Sequence, residues 1–294
     1  ASDAQSGLAT SGTYAYYLGN ELKATNETNS YTFTDLTYGT SYTLKVVVTD
    51  RAGKTTERST TITTPNQISD VLKEGDYVNY VDGTDVTRTC VVLYGPENEN
   101  YSSYGIQIIT METVEDVELG HNDPTVTGNN NFDRARTSYN SAINTLHKRA
   151  QAYLNTTYAI EARSVGSVPN DPTYDEAGMY TRDDSWFADD NQTFKNTDSN
   201  YLAVWNQMGI LEIRSLSKVY WLASRMAATY EASGFDVRHV NTSGSLTSQY
   251  LCTVNSSNYY STSYSSGLRL VFTLKSDLKV TAGNGLENDP YILE

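Results

Sequence analysis

Residues 219–274 read VYWLASRMAATYEASGFDVRHVNTSGSLTSQYLCTVNSSNYYSTSYSSGLRLVFTL. Two apolar blocks, Val219–Leu222 and Leu268–Leu274, flank a segment made mostly of Ser, Thr, Asn, Tyr and Gly. Short apolar runs bounded by turn residues predict buried strands. The segment between them has the composition of evolved binding loops, because tyrosine offers a large, stiff contact area and the small polar residues offer adaptable hydrogen bonds. The stretch therefore predicts an apolar frame that presents a binding surface.

The apolar residues of the central segment are expected to point into the core, and the residues between them to point outward. The expected anchors are Val237, Val240, Leu246, Leu251 and Val254. The predicted ligand-binding residues are Met226, Tyr230, Glu231, Ser233, Phe235, Asp236, His239, Asn241, Ser245, Thr247, Gln249, Tyr250, Thr253, Asn255, Tyr259 and Tyr260. A polar strand surface or a flexible loop without a ligand is the alternative. We favour binding because the polarity stops abruptly at both apolar blocks.

Charge and composition limit the classes of partner. The chain carries 35 acidic and 21 basic residues, a formal net charge of −14, and has no basic run. Such a chain is a poor partner for phosphate backbones or anionic lipid, so we expect no nucleic-acid or membrane-surface binding. No apolar run approaches the roughly 20 residues of a membrane helix, so no membrane insertion is expected. The absence of a signal peptide and of an initiator Met at Ala1 suggests a fragment or processed form.

The aromatic composition indicates where the protein works. The chain has 24 Tyr but 6 Phe, and this imbalance favours rings with one end in water, as at surfaces and interfaces. With few Lys and many Ser, Thr and Asn, the sequence is typical of a secreted or surface-displayed bacterial protein. We therefore expect an extracellular location at the bacterial cell surface.

Residues 1–64 predict a small all-β module. The segments TYAYYL (13–18), SYTFTDL (30–36), SYTLKVVVTD (41–50) and TERSTTITT (56–64) are rich in β-branched and aromatic residues, with turn residues between them. This text resembles the later strands of a fibronectin type III or immunoglobulin-like module. The resemblance implies a partial β-sandwich that lacks about two opening strands. It also implies that Tyr42 is the corner tyrosine and that Val46 and Val48 are core residues.

A second domain is expected at 73–294, after a linker at 65–72 that begins with Pro65. Strand-like runs come first. Apolar residues then recur at helical spacing in FDRARTSYNSAINTLHKRAQAYL (132–154), with Asn131 or Asp133 as the cap. A long irregular region at 163–200 and more strands follow. This order predicts an α+β fold class for the domain.

Motifs for catalysis or metal binding are missing from the sequence. There is no G-x-S-x-G, H-E-x-x-H, C-x-x-C or EF-hand pattern, so we expect no enzyme and no cofactor. The acidic loop at 183–198 has enough oxygen ligands for Ca²⁺, but a solvated acidic loop is the favoured interpretation. Cys90 and Cys252 are either a disulfide or two buried thiols.

Several segments of the second domain resemble a group of bacterial surface and pilin-like proteins. They are YGIQII (104–109), YNSAINTL (139–146), ARSVGSVPN (162–170), YWLASR (220–225), FDVRHV (235–240), LCTV (251–254) and SSGLRLVFTLKSDLKV (265–280). The C-terminal domain of that group looks like the C-type-lectin fold, in the branch related to formylglycine-generating enzymes. Some members look like the variable proteins of diversity-generating retroelements, in which adenine-directed mutagenesis exchanges the displayed residues.

The resemblance implies a C-type-lectin-like domain after the sandwich, with Trp221 and the GLRLVF strand as scaffold. The family strand more often reads GLRPVF, so Leu270 departs from it. The implied function is a diversified ligand-binding face, whose partner is a protein or glycan on another cell, a host or a phage. A pilus or stalk subunit, or an ordinary adhesin, is the alternative. An enzyme of the formylglycine-generating type would need a reactive or copper-binding cysteine.

Overall fold

The computed structural model describes residues 7–98, 105–167, 201–230, 232–254 and 258–294, with the backbone alone at 227–230 and 232–233. The fold is mostly β, with 45% strand and 15% helix arranged as three sheets and a few helices. The expected α+β class, with a lectin-like domain after a sandwich, is therefore wrong. The prediction of an α+β class rested on the one long helix. Most of the remaining elements are strands of nine residues or fewer, so strand content dominates the fold.

The first sheet has four antiparallel strands. In spatial order they are β2 (Glu21–Asn26), β1 (Tyr14–Leu18), β3 (Ser41–Thr49) and β4 (Thr55–Thr63). The hydroxyl of Tyr42 accepts a hydrogen bond from the Thr37 N–H at 3.0 Å, which is the contact expected of a corner tyrosine. Val46 and Val48 are only half-buried, and the predicted strand at 30–36 is wrong, because this segment is irregular. Within residues 7–64 this single layer is the only sheet described, so the second layer of a sandwich is not seen there.

The second sheet has eight strands and contains residues of the predicted linker. Its strands in spatial order are β10 (Ala159–Ser164), β16 (Leu270–Leu274), β8 (Gln107–Thr110), β7 (Thr87–Tyr94), β6 (Tyr77–Val81), β18 (Tyr291–Leu293), β17 (Lys279–Ala282) and β5 (Asn66–Gln67). Strand β5 pairs with β17, and the short helix α1 (Ile68–Val71) follows it directly. Ile68 and Leu72 are buried in the main core, so residues expected to form a linker pack as structural elements.

The third sheet contains most of residues 219–274. Its six strands in spatial order are β14 (Tyr259–Ser261), β13 (Leu246–Val254), β12 (Ala232–Val240), β11 (Tyr220–Tyr230), β15 (Ser263–Leu268) and β9 (Glu115–Gly120). Strands β11, β12, β13 and β14 pair antiparallel in sequence order. The two predicted apolar blocks lie in β11 and in β15–β16, and the buried residues among them include Trp221 and Phe272.

Two helices cover the buried faces of these sheets. Helix α2 (Asn131–Gln151) starts after Asn130, whose side-chain oxygen accepts from the Asp133 N–H at 2.9 Å. The cap therefore lies one residue before Asn131, the nearer of the two predicted candidates. It packs against β9 to β15 in the larger apolar core. Helix α3 (Tyr201–Ile210) packs in a second core with Tyr220 and Val240. None of the described helices is long and apolar enough to cross a membrane.

Candidate functional site

Strand β12 is covered on both faces, and this decides which predicted site residues can reach a ligand. Phe235 and Val237 are buried in the core shared with helix α2, and the Phe235 ring lies 5.3 Å from the Tyr139 ring, edge to face. Successive side chains of a strand point to opposite faces, so residues two apart, such as Phe235 and Val237, share a face. Phe235 is therefore a core residue in this structure and not part of an outward surface.

His239 also lies inside the molecule. It is buried, and its imidazole centroid lies 6.1 Å from the centroid of Trp221. The Trp221 indole N–H donates to the Val117 carbonyl at 2.8 Å, which fixes the neighbouring ring. The His239 Nδ1 atom is buried without a hydrogen-bond partner among the described residues. Burial lowers the pKa of His239 below its ordinary value, so the neutral ring is favoured.

The opposite face of β12 carries two charged side chains. The Ser248 hydroxyl donates to the Asp236 carboxylate at 2.7 Å. Burial raises the pKa of Asp236, although that hydrogen bond and the charge of Arg238 oppose the increase. The Arg238 guanidinium donates to the Ser224 hydroxyl at 2.7 Å and lies 4.5 Å from the Tyr201 ring of α3. The Arg238 side chain thus packs against α3.

The turn between β12 and β13 explains three more of the predicted residues. The Asn241 side-chain oxygen accepts from the backbone N–H groups of Ser243 and Ser245, each at 3.0 Å. Gly244 adopts φ +79°, the left-handed conformation that the turn requires. Asn241 and Ser245 therefore form the turn, and the exposed Thr247 lies just beyond it. This turn is at the end of the hairpin opposite to Phe235.

Three exposed tyrosines lie on β13 and β14, one in the middle of β13 and two in β14. Tyr250 is 42% exposed, Tyr259 is 46% exposed and Tyr260 is 53% exposed, and we call these three side chains the tyrosine surface. In the ladder between β13 and β14, Thr253 is opposite Tyr260 and Val254 is opposite Tyr259. The buried Val254 and Cys252 hold this ladder against the core. The sequence thus predicted the exposure of these tyrosines correctly.

Residues outside the predicted segment contribute to this surface. The Phe132 ring of α2 lies 5.0 Å from the Tyr259 ring, and the Tyr264 ring of β15 lies 6.3 Å from the Tyr250 ring. His121 Nδ1 lies 3.2 Å from the Ser261 hydroxyl. The sequence analysis missed these residues. Phe132 was predicted only as part of the apolar face of α2. Its position in the first turn of the helix could have indicated that it also reaches a neighbouring strand.

The remaining predicted residues are half-buried, are described by their backbone alone, or lie outside the described residues. Met226, Gln249 and Thr253 are half-buried. Glu231 and Asn255 lie outside the described residues, and so does the acidic loop at 183–198. Only the backbone of Tyr230 and Ser233 is described, in β11 and β12. The structure therefore divides the predicted set into buried residues, turn residues and the tyrosine surface.

The two cysteines lie in environments that disfavour thiol chemistry. Both are free and buried, Cys90 in β7 and Cys252 in β13. Burial raises the pKa of Cys252 to about 12 and also raises the pKa of Cys90, so their nucleophilic thiolate forms are disfavoured at neutral pH. In the described part of the chain, no cluster of three or more His, Cys, Asp or Glu is placed to hold a metal ion.

Comparisons with protein-family models, with curated proteins and with solved structures give no match for this chain. The resemblance to retroelement variable proteins therefore stays a prediction.

Proposed function

We propose that this protein binds a protein or glycan partner through the tyrosine surface. The observation that carries the proposal is the exposure of Tyr250, Tyr259 and Tyr260 on two paired strands. Tyrosine is enriched among the residues that dominate binding energy, because its ring buries a large area while its hydroxyl can still form hydrogen bonds. Tyr259 and Tyr260 are consecutive in β14, so their rings point to opposite faces of this edge strand. Together with Tyr250 on the neighbouring strand, they can contact a partner that covers the edge of the sheet.

The rigidity of the supporting strands favours this role. Cys252 and Val254, on the same strand as Tyr250, are buried in the main core. The Thr262 N–H donates to the Leu251 carbonyl at 2.9 Å and extends the ladder past β14. Side chains on an ordered strand lose less conformational freedom on binding than side chains on a mobile loop, so more of the contact energy remains as affinity.

The proposed setting is the outer surface of a bacterial cell, with a partner on another cell, a host or a phage. The composition supports it, because the chain combines 24 Tyr with a net charge of −14. Exchange of residues at the tyrosine surface would leave the buried frame intact, as a diversified binding protein requires. A comparison of natural variants of the gene tests this point: changes should cluster at 226–260, and uniform scatter would contradict diversification.

A screen on glycan and protein arrays tests binding itself. The variant Tyr250→Ser/Tyr259→Ser/Tyr260→Ser is expected to bind its best array ligand at least ten-fold more weakly, because all three aromatic contacts are lost. The matched control is Leu22→Ser/Tyr38→Ser/Ile62→Ser, which changes three side chains in the first 64 residues that are exposed to a similar degree. Equal binding by the wild type and the tyrosine variant, or no ligand on either array, would contradict the proposal.

A further inference from the structure

Strand β13 has an outer edge that is only partly used. Its outer neighbour β14 pairs with Cys252, Thr253 and Val254. Thr262 extends the contact by donating to the carbonyls of Tyr250 and Leu251. In the described part of the chain, no strand pairs with the outer edge of residues 246–249. Thr247 is exposed and its neighbours are half-buried, so the core does not enclose this edge.

The phase of the ladder shows which backbone groups face outward. The Asn241 N–H donates to the Ser245 carbonyl at 3.0 Å, so this pair is hydrogen-bonded across the hairpin. Hydrogen-bonded and non-bonded pairs alternate along an antiparallel ladder. The N–H and C=O groups of Leu246 and Ser248 therefore point away from β12, together with those of Tyr250. The Tyr250 carbonyl confirms the phase, because it accepts from the Thr262 hydroxyl on the outer side at 2.5 Å.

The other long edge strands of the described sheets carry charged residues, which is a common protection against unwanted strand pairing. These residues are Glu21 and Lys23 in β2, Glu57 and Arg58 in β4, Glu115, Asp116 and Glu118 in β9, and Glu161 and Arg163 in β10. Strand β13 reads LTSQYLCTV and contains neither a charged residue nor proline. Among the described residues, its outer edge at 246–249 thus has no strand partner and no charged residue to oppose one.

We propose that the partner of this protein contributes an extended peptide segment that adds to the edge of β13 at residues 246–249, in line with β14. The backbone groups of Leu246 and Ser248 would supply hydrogen bonds, and Tyr250 would contact an alternate side chain of the peptide. The chain has a net charge of −14, so an uncharged or basic segment fits better than an acidic one. The inference rests on the proposed binding function and assigns it a peptide ligand.

Selection from a phage-displayed library of random dodecapeptides tests the proposal. The best binder, made as a free peptide, is expected to bind the variant Ser248→Pro at least ten-fold more weakly than the wild type, because proline removes the outward N–H without breaking a bond to β12. The variant Ser248→Ala is the matched control, since it also loses the hydroxyl that contacts Asp236 but keeps the N–H. Equal binding to both variants, or no binder from the library, would overturn the proposal.

A second measurement uses the wild-type protein, so it remains decisive if Ser248→Pro does not fold. The selected peptide is N-methylated at odd positions in one version and at even positions in another. Strand addition predicts that one version loses at least ten-fold in affinity and the other does not, and equal effects overturn it. The two proposals can fail separately. If array binding depends on the three tyrosines but Ser248→Pro does not weaken peptide binding, the proposed function stands and strand addition at the β13 edge is rejected.

Discussion

The four-stranded first sheet and the six-stranded third sheet differ in how many of their tyrosines they expose. In the first sheet, Tyr14 and Tyr16 are each 8% exposed and are the most buried aromatic residues of the layer, while strand β4 is exposed along its whole length. In the third sheet, Trp221, Phe235 and aliphatic residues fill one core, and Tyr220 is buried in the other. The tyrosines in the middle of β13 and in β14 remain in contact with water.

The difference follows from how many layers each sheet packs against. The third sheet has helix α2 on one face and a second core with α3 on the other, so its frame is stable without the exposed tyrosines. The first sheet is covered by the 27–40 segment, where the Tyr31 ring lies 5.3 Å from the Tyr16 ring and 4.8 Å from the Phe33 ring. A thin layer needs its tyrosines for stability, whereas a well-packed layer can display them for binding.

The largest expected effect is that of Trp221→Ala in the third sheet. Loss of a fully buried indole and of its hydrogen bond to Val117 should lower the free energy of unfolding by about 3–5 kcal/mol. Urea unfolding followed by circular dichroism measures it. Trp221→Phe, which keeps most of the apolar volume, should cost less, and a loss below about 1 kcal/mol for the alanine variant would contradict a core role.

In the first sheet, Val46→Ala should cost only about 1 kcal/mol, because Val46 is half-buried and no cavity would be left in a closed core. The measurement is urea unfolding monitored in the near ultraviolet, where the tyrosines of this sheet absorb. A loss as large as that of Trp221→Ala would show that a second layer covers this sheet.

The sequence predicted helix α2 and the exposed tyrosines because both depend on local information. The apolar spacing from Phe132 to Leu146 marks one face of a helix, and the Tyr/Ser/Asn composition marks an accessible surface. The fold class was wrong because short strands leave weak individual signals, and their assembly into three sheets depends on pairing between distant segments.

The burial of Phe235 and His239 was in principle readable from the sequence. Val237 was chosen as an anchor, and a period of two places Phe235 and His239 on its side of β12. Val240 was also expected to be an anchor, but it belongs to the opposite face and packs in the second core. Both faces of β12 are covered, and a single sequence does not show that a second helix packs on the far side.

The pH dependence of unfolding tests the position of His239. Because burial lowers the pKa of His239 in the folded protein, the unfolded chain binds the proton first, near its ordinary pKa of about 6.5. Stability contributed by the neutral ring is therefore fully present above that pH and is lost as the pH falls through the lower folded pKa. His239→Gln should remove this part of the loss between about pH 7 and pH 5, measured by urea unfolding at each pH. Parallel curves for the two proteins would place His239 in water.

The smallest expected effect on stability is that of Tyr260→Ser. This ring is 53% exposed, so the free energy of unfolding should change by no more than about 0.5 kcal/mol. The same substitution at Tyr16 should cost about 2 kcal/mol or more, because it removes a buried ring whose hydroxyl donates to the Thr28 carbonyl at 2.9 Å. Binding of the array ligand should show the reverse order, with a loss at Tyr260→Ser and none at a folded Tyr16→Ser. If Tyr260 proved as important for stability as Tyr16, its exposure would reflect packing and the distinction between core and display tyrosines would fail.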